Sequence, residues 1–459
     1  MNLSRSERWK LIALGAAIVV GAAVIIVNVV STDHEEQQPA TALVESSLST
    51  APTRSWTLDV HTLSDNGGDV LLGMPAPLET YYGYPGLLDA GNRIIVATGY
   101  PLPKADPSSP SAETSAVTLV GVDPNDGASQ WRTPIGRVSS CDQQLDGDIL
   151  ACWDDRRIVF VDVTDGTLLS DIGTDFDLSG ATLDGDVVYA SGNSDGAPVL
   201  TRGTTTDLTS DFRRDFEKAP DSWIYSVPEH GVAIESVRGD GTPQYSYTVY
   251  DLETGAKKFT FEGDSLVPVG EGLYLSSIGS ESGTVGTQNL LGSDGAVVRA
   301  VPIPAYNAAG YPSSPSVPSP LFLGDGAYDP KTGDELWRNP ALVVGQFNGK
   351  DSAVAAVIGR TVITTDPDAR TITGLDIESG RQLWQTPWED AYWVRDGLTD
   401  GEYFVFGDYQ GTHAISARDG RIAWSMPQLD GVDPRMVRVS SAGGRMLVSS
   451  GAAFTLWSS

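Results

Sequence analysis

Hydrophobic and polar positions divide this chain into two unlike parts. Residues 11–30 are one apolar run of twenty, uncharged and with Asn28 as its only side-chain amide. From residue 56 onward the apolar residues come instead in short runs with strand-like alternation, each closed by a polar cluster holding Asp and Gly. As a helix the first run would span about 30 Å, the hydrocarbon thickness of a bilayer. Arg5, Arg8 and Lys10 precede it, and Asp33, Glu35 and Glu36 follow, so positive charge stays in the cytoplasm and the bulk of the chain is sent outside. A cleaved signal peptide is the rival reading, but its apolar core usually runs about 7–15 residues to a small-x-small site. The expected organisation is a cytoplasmic N-terminus over 1–10, a transmembrane signal-anchor helix over 11–30 and one domain over 56–459. Between anchor and domain, the polar residues 31–55 read as a flexible extracytoplasmic stalk with a reach of roughly 25–30 Å.

The short runs share a frame: a small or apolar pair, Asp, two variable residues, Thr/Ser/Asp, Gly, and an aromatic residue four positions after the Gly. Asp376, Ser379, Gly380 and Trp384 fill it, as do Asp123, Asp126, Gly127 and Trp131, then Asp329, Thr332, Gly333 and Trp337. Asp251, Thr254, Gly255 and Phe259 substitute Phe. Ser416, Asp419, Gly420 and Trp424 lose the leading Asp, while Asp162, Asp165 and Gly166 reach Ser170 where Trp should stand. The physical reading is two strands and their turn. Asp accepts hydrogen bonds from the turn backbone, Gly supplies positive φ, and the aromatic packs between stacked sheets.

These copies recur about every forty residues, with gaps wide enough for two degenerate units at 200–212 and 288–299. A strand-only period near forty is that of a four-stranded propeller blade. The pattern A-x-D-x-x-T-G-x-x-x-W resembles the PQQ-like β-propeller repeat family, in which the Trp docks each blade against its neighbour; the resemblance covers roughly residues 56–457. It implies an all-β propeller of eight, alternatively seven, four-stranded blades, with Trp131, Phe259, Trp337, Trp384 and Trp424 in the docking role. Residues 56–60 look like a return strand without a turn before it, and 454–457 like a lead-in strand without a return. The two ends are expected to complete one blade and close the ring, which removes exposed edges. Pro/Ser-rich interruptions at 100–115 and 307–320 read as loops on a propeller face.

Charge narrows the partners. Thirty basic against sixty acidic residues give a net charge of −30, which disfavours nucleic acid and anionic lipid surfaces. Cys141 and Cys152, the only cysteines, flank L-D-G-D. Counting outward from an Asp146-Gly147 turn sets them opposite each other, so a disulfide is expected in an exported domain. The count places them at a hydrogen-bonded pair, the wider kind, unless a bulge adjusts it.

Candidate chemistry is sparse. His34, His61, His230 and His413 show no metal-ligand spacing. G-N-S-D-G around Ser194 matches the letters of a nucleophile elbow, but the following A-P-V-L reads as a strand where a helix is required. The D-G-D stretches ending at Asp148 and Asp186 read as hairpin turns, and D-F-D-L-S-G from Asp175 lacks the helices that flank a calcium loop. Quinoprotein dehydrogenases share the repeat type, yet hold their cofactor with a floor Trp, calcium and, in many members, adjacent cysteines, whereas ten residues separate the cysteines here. The expectation is a non-catalytic, membrane-tethered scaffold in the cell envelope with no cofactor or metal, binding an envelope protein partner. Small-ligand sensing and, less favoured, quinoprotein dehydrogenase activity are the alternatives. Two aromatic clusters, Tyr81, Tyr82 and Tyr84, and Trp388, Tyr392 and Trp393, are weak candidates for a binding surface, packing anchors under long loops being the commoner use of such residues.

Overall fold

A computed structural model describes residues 43–63, 70–71, 87–101, 115–142, 145–219, 221–238, 245–279, 286–305, 311–346, 349–391, 394, 397–427, 437–450 and 453–458. The apolar run at 11–30 lies outside these; among the described residues no helix is long and apolar enough to cross a membrane.

The alternating runs pair with their sequence neighbours into antiparallel sheets that follow one another along the chain. Among the described residues nine sheets form blades: blade 1 (70–138), blade 2 (140–173), blade 3 (177–215), blade 4 (222–263), blade 5 (265–301), blade 6 (321–338), blade 7 (354–387), blade 8 (397–427) and blade 9, which joins 437–458 to 53–59; a tenth, two-stranded sheet pairs Val343–Gln346 with Gly349–Ser352. In most blades the last strand is the most exposed, as in the alternation of Leu168–Gly173 and Gln382–Pro387, so it forms the rim and the first strand faces the ring axis. Nine apolar clusters fill the nine boundaries between successive blades, from blades 1 and 2 around to blades 9 and 1. The core is therefore a closed ring of shared interfaces.

This corrects the expected count of eight or seven. Eight units carry a turn frame, regular or degenerate, and the ninth blade carries none because the two ends of the chain meet in it. Thr53–Asp59 pairs antiparallel with Ala453–Ser458, setting Trp56 opposite Leu456 and Leu58 opposite Phe454. Not every blade has four strands: blade 6 has three and blades 1 and 7 have five. The extra strand of blade 7 is Ser313–Pro315, parallel to Val354–Gly359, so part of the interruption at 307–320 is a strand added to the inner edge and not a face loop.

Part of the segment expected to be stalk, residues 43–55, belongs to the ring. From Leu43 onward the chain is docked: Val44 is 2% exposed and Leu48 1%, and both sit in the apolar cluster between blades 8 and 9. Thr53 already begins the rim strand of blade 9. A polar composition hid two well-spaced aliphatic side chains.

Candidate functional site

One position recurs at every seam. In the rim strands, Trp131, Ser170, Arg214, Phe259, Arg299, Trp337, Trp384, Trp424 and Trp56 stand in equivalent register, opposite Gly121, Phe160, Leu200, Val249, Leu290, Ala327, Gly374, Ala414 and Leu456. Trp337, Trp384 and Trp424 are buried, at 8%, 9% and 8% exposure. Their indole N–H groups donate to the carbonyls of Ile377 (2.8 Å), Ala417 (2.9 Å) and Leu48 (2.7 Å). Trp56 donates to Pro124 O at 3.0 Å. Except at Leu48, the acceptor belongs to the residue just after the first frame position of the next blade. Trp131 is half-buried, and its Nε1 is among the buried atoms without a hydrogen-bond partner. Phe259 is buried and docks edge-on against Tyr274 of blade 5, centroids 5.0 Å apart.

The turn glycine therefore serves two ends. Gly420 has φ +69°, and a Cβ there would lie 2.4 Å from the Trp384 ring, so any side chain would be both strained and displaced by the preceding blade's indole. Two residues after the Trp a second donor grips the same turn: Thr133 Oγ1 donates to Gly166 O, Thr386 Oγ1 to Gly420 O (2.6 Å) and Asn339 Nδ2 to Gly380 O (2.7 Å). In degenerate blades arginine does this work. Arg214 donates to Gly255 O while its guanidinium lies 4.4 Å from the Tyr250 ring centroid, and Arg299 Nε donates to Gly333 O at 3.2 Å. Ser170 Oγ donates to Thr205 O at 2.6 Å. The sequence reading missed both arginines, although Arg299 stands four positions after Gly295, where the frame puts its aromatic.

Frame carboxylates are spent on their own turns. Asp376 Oδ1 accepts from Ser379 Oγ (2.7 Å) and Ser379 N (2.9 Å). The Ser379 hydroxyl, outweighing the effect of partial burial, holds this carboxyl below the usual carboxylate range. The motifs weighed for chemistry resolve the same way. Ser194 pairs with Ala197 across a hairpin turn whose Asp195 and Gly196 both have positive φ, so it is no nucleophile elbow. Asp175 is held by Arg213 and Asp177 by Arg156, each at 2.6 Å. Among the described residues no group of three or more His, Cys, Asp or Glu is placed to hold a metal ion.

Cys141 and Cys152 are bonded and opposite each other in register, tying the first strand of blade 2 to the second. The adjacent pair, Asp142 N to Ala151 O, is the hydrogen-bonded one, so the cysteines occupy the narrow kind of site, with Cα atoms 3.9 Å apart. The turn sits one residue later than counted, at Gly147-Asp148, since Asp146 bridges Ile149, yet Cys141 still stands opposite Cys152.

Of the two aromatic clusters, Tyr81, Tyr82, Tyr84, Tyr392 and Trp393 lie outside the described residues. Trp388 does not belong to a surface: it is 9% exposed. Its Nε1 donates to Asp408 Oδ2 at 2.9 Å, and its ring meets Phe406 and His413 edge-on. His413 is itself buried, with Nε2 3.0 Å from Asp408 Oδ1 and Nδ1 2.8 Å from Ser425 Oγ. Because a carboxylate only accepts, Nε2 of His413 is the donor to Asp408. Burial alone would raise the Asp408 carboxyl, but the bonds from His413, the Gln410 amide and Trp388 hold it below the usual range. The three residue types of a hydrolase triad are present, yet the second carboxylate oxygen is taken by an indole from blade 7. The arrangement is a latch that fastens the end of blade 7 to a hairpin and the rim strand of blade 8.

The Leu48 acceptor marks the seam that has no frame turn. Blade 9 has no frame turn, and residues 43–49 occupy that place: Val44 N donates to Thr399 O (2.8 Å), Glu45 N to Gly444 O (2.9 Å) and Leu48 N to Asp400 Oδ2 (2.7 Å). Burying Val44 and Leu48 is worth about 4 kcal/mol and the four hydrogen bonds, Trp424 included, about 4–5 kcal/mol. Fixing seven residues of backbone costs about 10 kcal/mol. The two sums nearly cancel.

A closed ring of mostly four-stranded sheets, five of whose nine seams carry a docking tryptophan in the frame register, is a PQQ-like β-propeller, and the chain is a protein of that repeat type. The family model that matches it, over residues 326–455, is described as outer membrane protein assembly factor BamB; that span runs from blade 6 into blade 9, where the Trp frame is most regular. Among solved structures, BamB from Moraxella catarrhalis is similar at 12% identity over 85% of this chain and 100% of that one, with a TM-score of 0.38. Quinohemoprotein alcohol dehydrogenase from Comamonas testosteroni aligns at 11% identity over 93% of this chain and 79% of that one, TM-score 0.45. Saccharomyces cerevisiae Sqt1 aligns at 11% over 89% and 99%, TM-score 0.42. Likenesses this loose carry no argument about ligands or partners. No curated protein matches the chain significantly.

Proposed function

We propose that this protein is a membrane-tethered, extracytoplasmic β-propeller that acts as a non-catalytic interaction scaffold in the cell envelope. The observation that carries the reading is the use made of the recurring residues: the tryptophans, arginines, Asp-Gly turns and second donors are consumed in joining blade to blade. What the ring then offers is loops on two faces of a rigid frame, which is the surface of a binding protein. The match to the BamB family model supports a protein partner. The charge asymmetry around residues 11–30 supports a single anchor with a cytoplasmic N-terminus and an external ring, and the net charge of −30 favours partners that are not themselves anionic.

Two measurements test this. Protease added to spheroplasts should remove the ring, and full protection would overturn the topology. Incubating the purified protein with pyrroloquinoline quinone and calcium should give neither uptake nor alcohol-dependent dye reduction, while cross-linking in cells should recover a reproducible envelope protein. Stoichiometric quinone binding with turnover would replace the scaffold by a dehydrogenase.

A further inference from the structure

We propose that residues 43–49 are a releasable strap over a peptide-docking groove between blades 8 and 9. Once vacated, the groove takes a short, bent segment of a protein partner bearing two large aliphatic side chains four positions apart. The partner half of this inference rests on the scaffold reading; the strap half does not.

Three observations lead here. Elsewhere around the ring, a docking tryptophan that donates across its seam does so to a turn built into the neighbouring sheet, whereas Trp424 donates to Leu48, 376 positions away in sequence. The strap's strand pairing with the ring is one isolated bridge, Leu43 to Thr399, and no ladder, with docking and ordering energies close to balance, so it can open without the ring unfolding. Finally, the groove's polar anchor is assembled independently of the strap. Asp400 Oδ1 accepts from the amides of Glu402 and Tyr403 at 2.9 and 2.8 Å, which leaves Oδ2 aimed at whatever backbone N–H lies above. With the strap away, Thr399 O, Gly444 O and Trp424 Nε1 offer further backbone partners. Leu398, Val405 and Met446 line the pockets that Val44 and Leu48 fill. The occupant seen in place defines the chemistry accepted: a short backbone segment that bends at residues 45–46 and carries aliphatic side chains at the first and fifth positions.

Hydrogen exchange on the full chain reads the strap directly. The amides of Val44, Glu45 and Leu48 should exchange together, at least about 100-fold faster than those of Gly411–Ser416 in blade 8. Exchange as slow as that strand would overturn the strap. In Leu48→Asp full-length protein, a labelled synthetic peptide of residues 43–52 should bind saturably, at least about twofold tighter than to wild type, where the cis segment competes. The same peptide carrying Leu48→Asp should not bind. A folded Leu48→Asp variant that ignores the wild-type peptide would overturn the groove. Should that variant fail to fold, Trp424→Phe keeps the ring and removes only the donor to Leu48 O; strap amides that exchange no faster there would likewise overturn the proposal. A cross-linked envelope partner captured equally by wild type and Leu48→Asp would take the groove out of partner binding while leaving the scaffold reading intact.

Discussion

The seam between blades 7 and 8 and the seam between blades 8 and 9 use the same indole geometry to different ends. Trp384 and Trp424 are buried alike and donate to a carbonyl at nearly the same distance. For Trp384 the acceptor belongs to a turn that two paired strands hold in place, and Thr386 and the Trp388 latch reinforce it. For Trp424 the acceptor belongs to a single docked segment. Equal contacts therefore do not mean equal seams: what differs is how much chain must be ordered to present the acceptor, and that cost falls on the strap alone.

The comparison can be broken in measurable ways. The largest effect should come from Trp384→Ala, which empties the 7/8 seam and should destabilise by about 3–5 kcal/mol in denaturant unfolding; Trp384→Phe, losing the bond to Ala417, should cost about 1–2 kcal/mol. If both are mild, docking is not what stabilises the ring. Next, reducing Cys141–Cys152 should cost up to about 3 kcal/mol, limited by the short closed loop, and should leave strap exchange unchanged because blade 2 is remote from the 8/9 seam.

His413→Ala should cost about 1.5–3 kcal/mol, because it removes a donor from a buried carboxylate. The sequence alone made this histidine look incidental; its burial against Trp388 overturns that view. Acid sharpens the test. The folded Asp408 carboxyl lies below its ordinary value, so its contribution is fully present above about pH 4 and disappears as pH falls through the folded value. The stability gap between wild type and Asp408→Asn should therefore narrow below about pH 4 when midpoints are measured against pH. The smallest effect expected is Arg214→Ala at the degenerate 3/4 seam, about 1 kcal/mol, since the guanidinium is only part of an interface that Tyr250 and Leu200 also fill. A loss equal to that of Trp384→Ala would mean the arginine seams are as dependent on one side chain as the tryptophan seams.

Much of this was legible from residues alone. The frame of Asp376, Gly380 and Trp384 states its own local geometry, because an Asp-capped turn, a positive-φ glycine and a following aromatic leave the backbone few choices. Repetition of that frame announced stacked blades, and 56–60 with 454–457 announced the closure. What the frame could not express was decided by neighbours distant in sequence. The number nine depended on a blade with no turn of its own. Gly420 needed an absent side chain because an indole from another blade lies on it. Arg214 and Arg299 became docking residues only when the carbonyls of Gly255 and Gly333 came within reach. Trp388 and His413 read as a surface aromatic and a stray histidine until Asp408 was placed between them. Short-range chemistry is written in residue type and spacing; which carbonyl an exposed-looking N–H will meet across a seam depends on chain brought together from 30 to nearly 400 positions away, and only the tertiary structure supplies that.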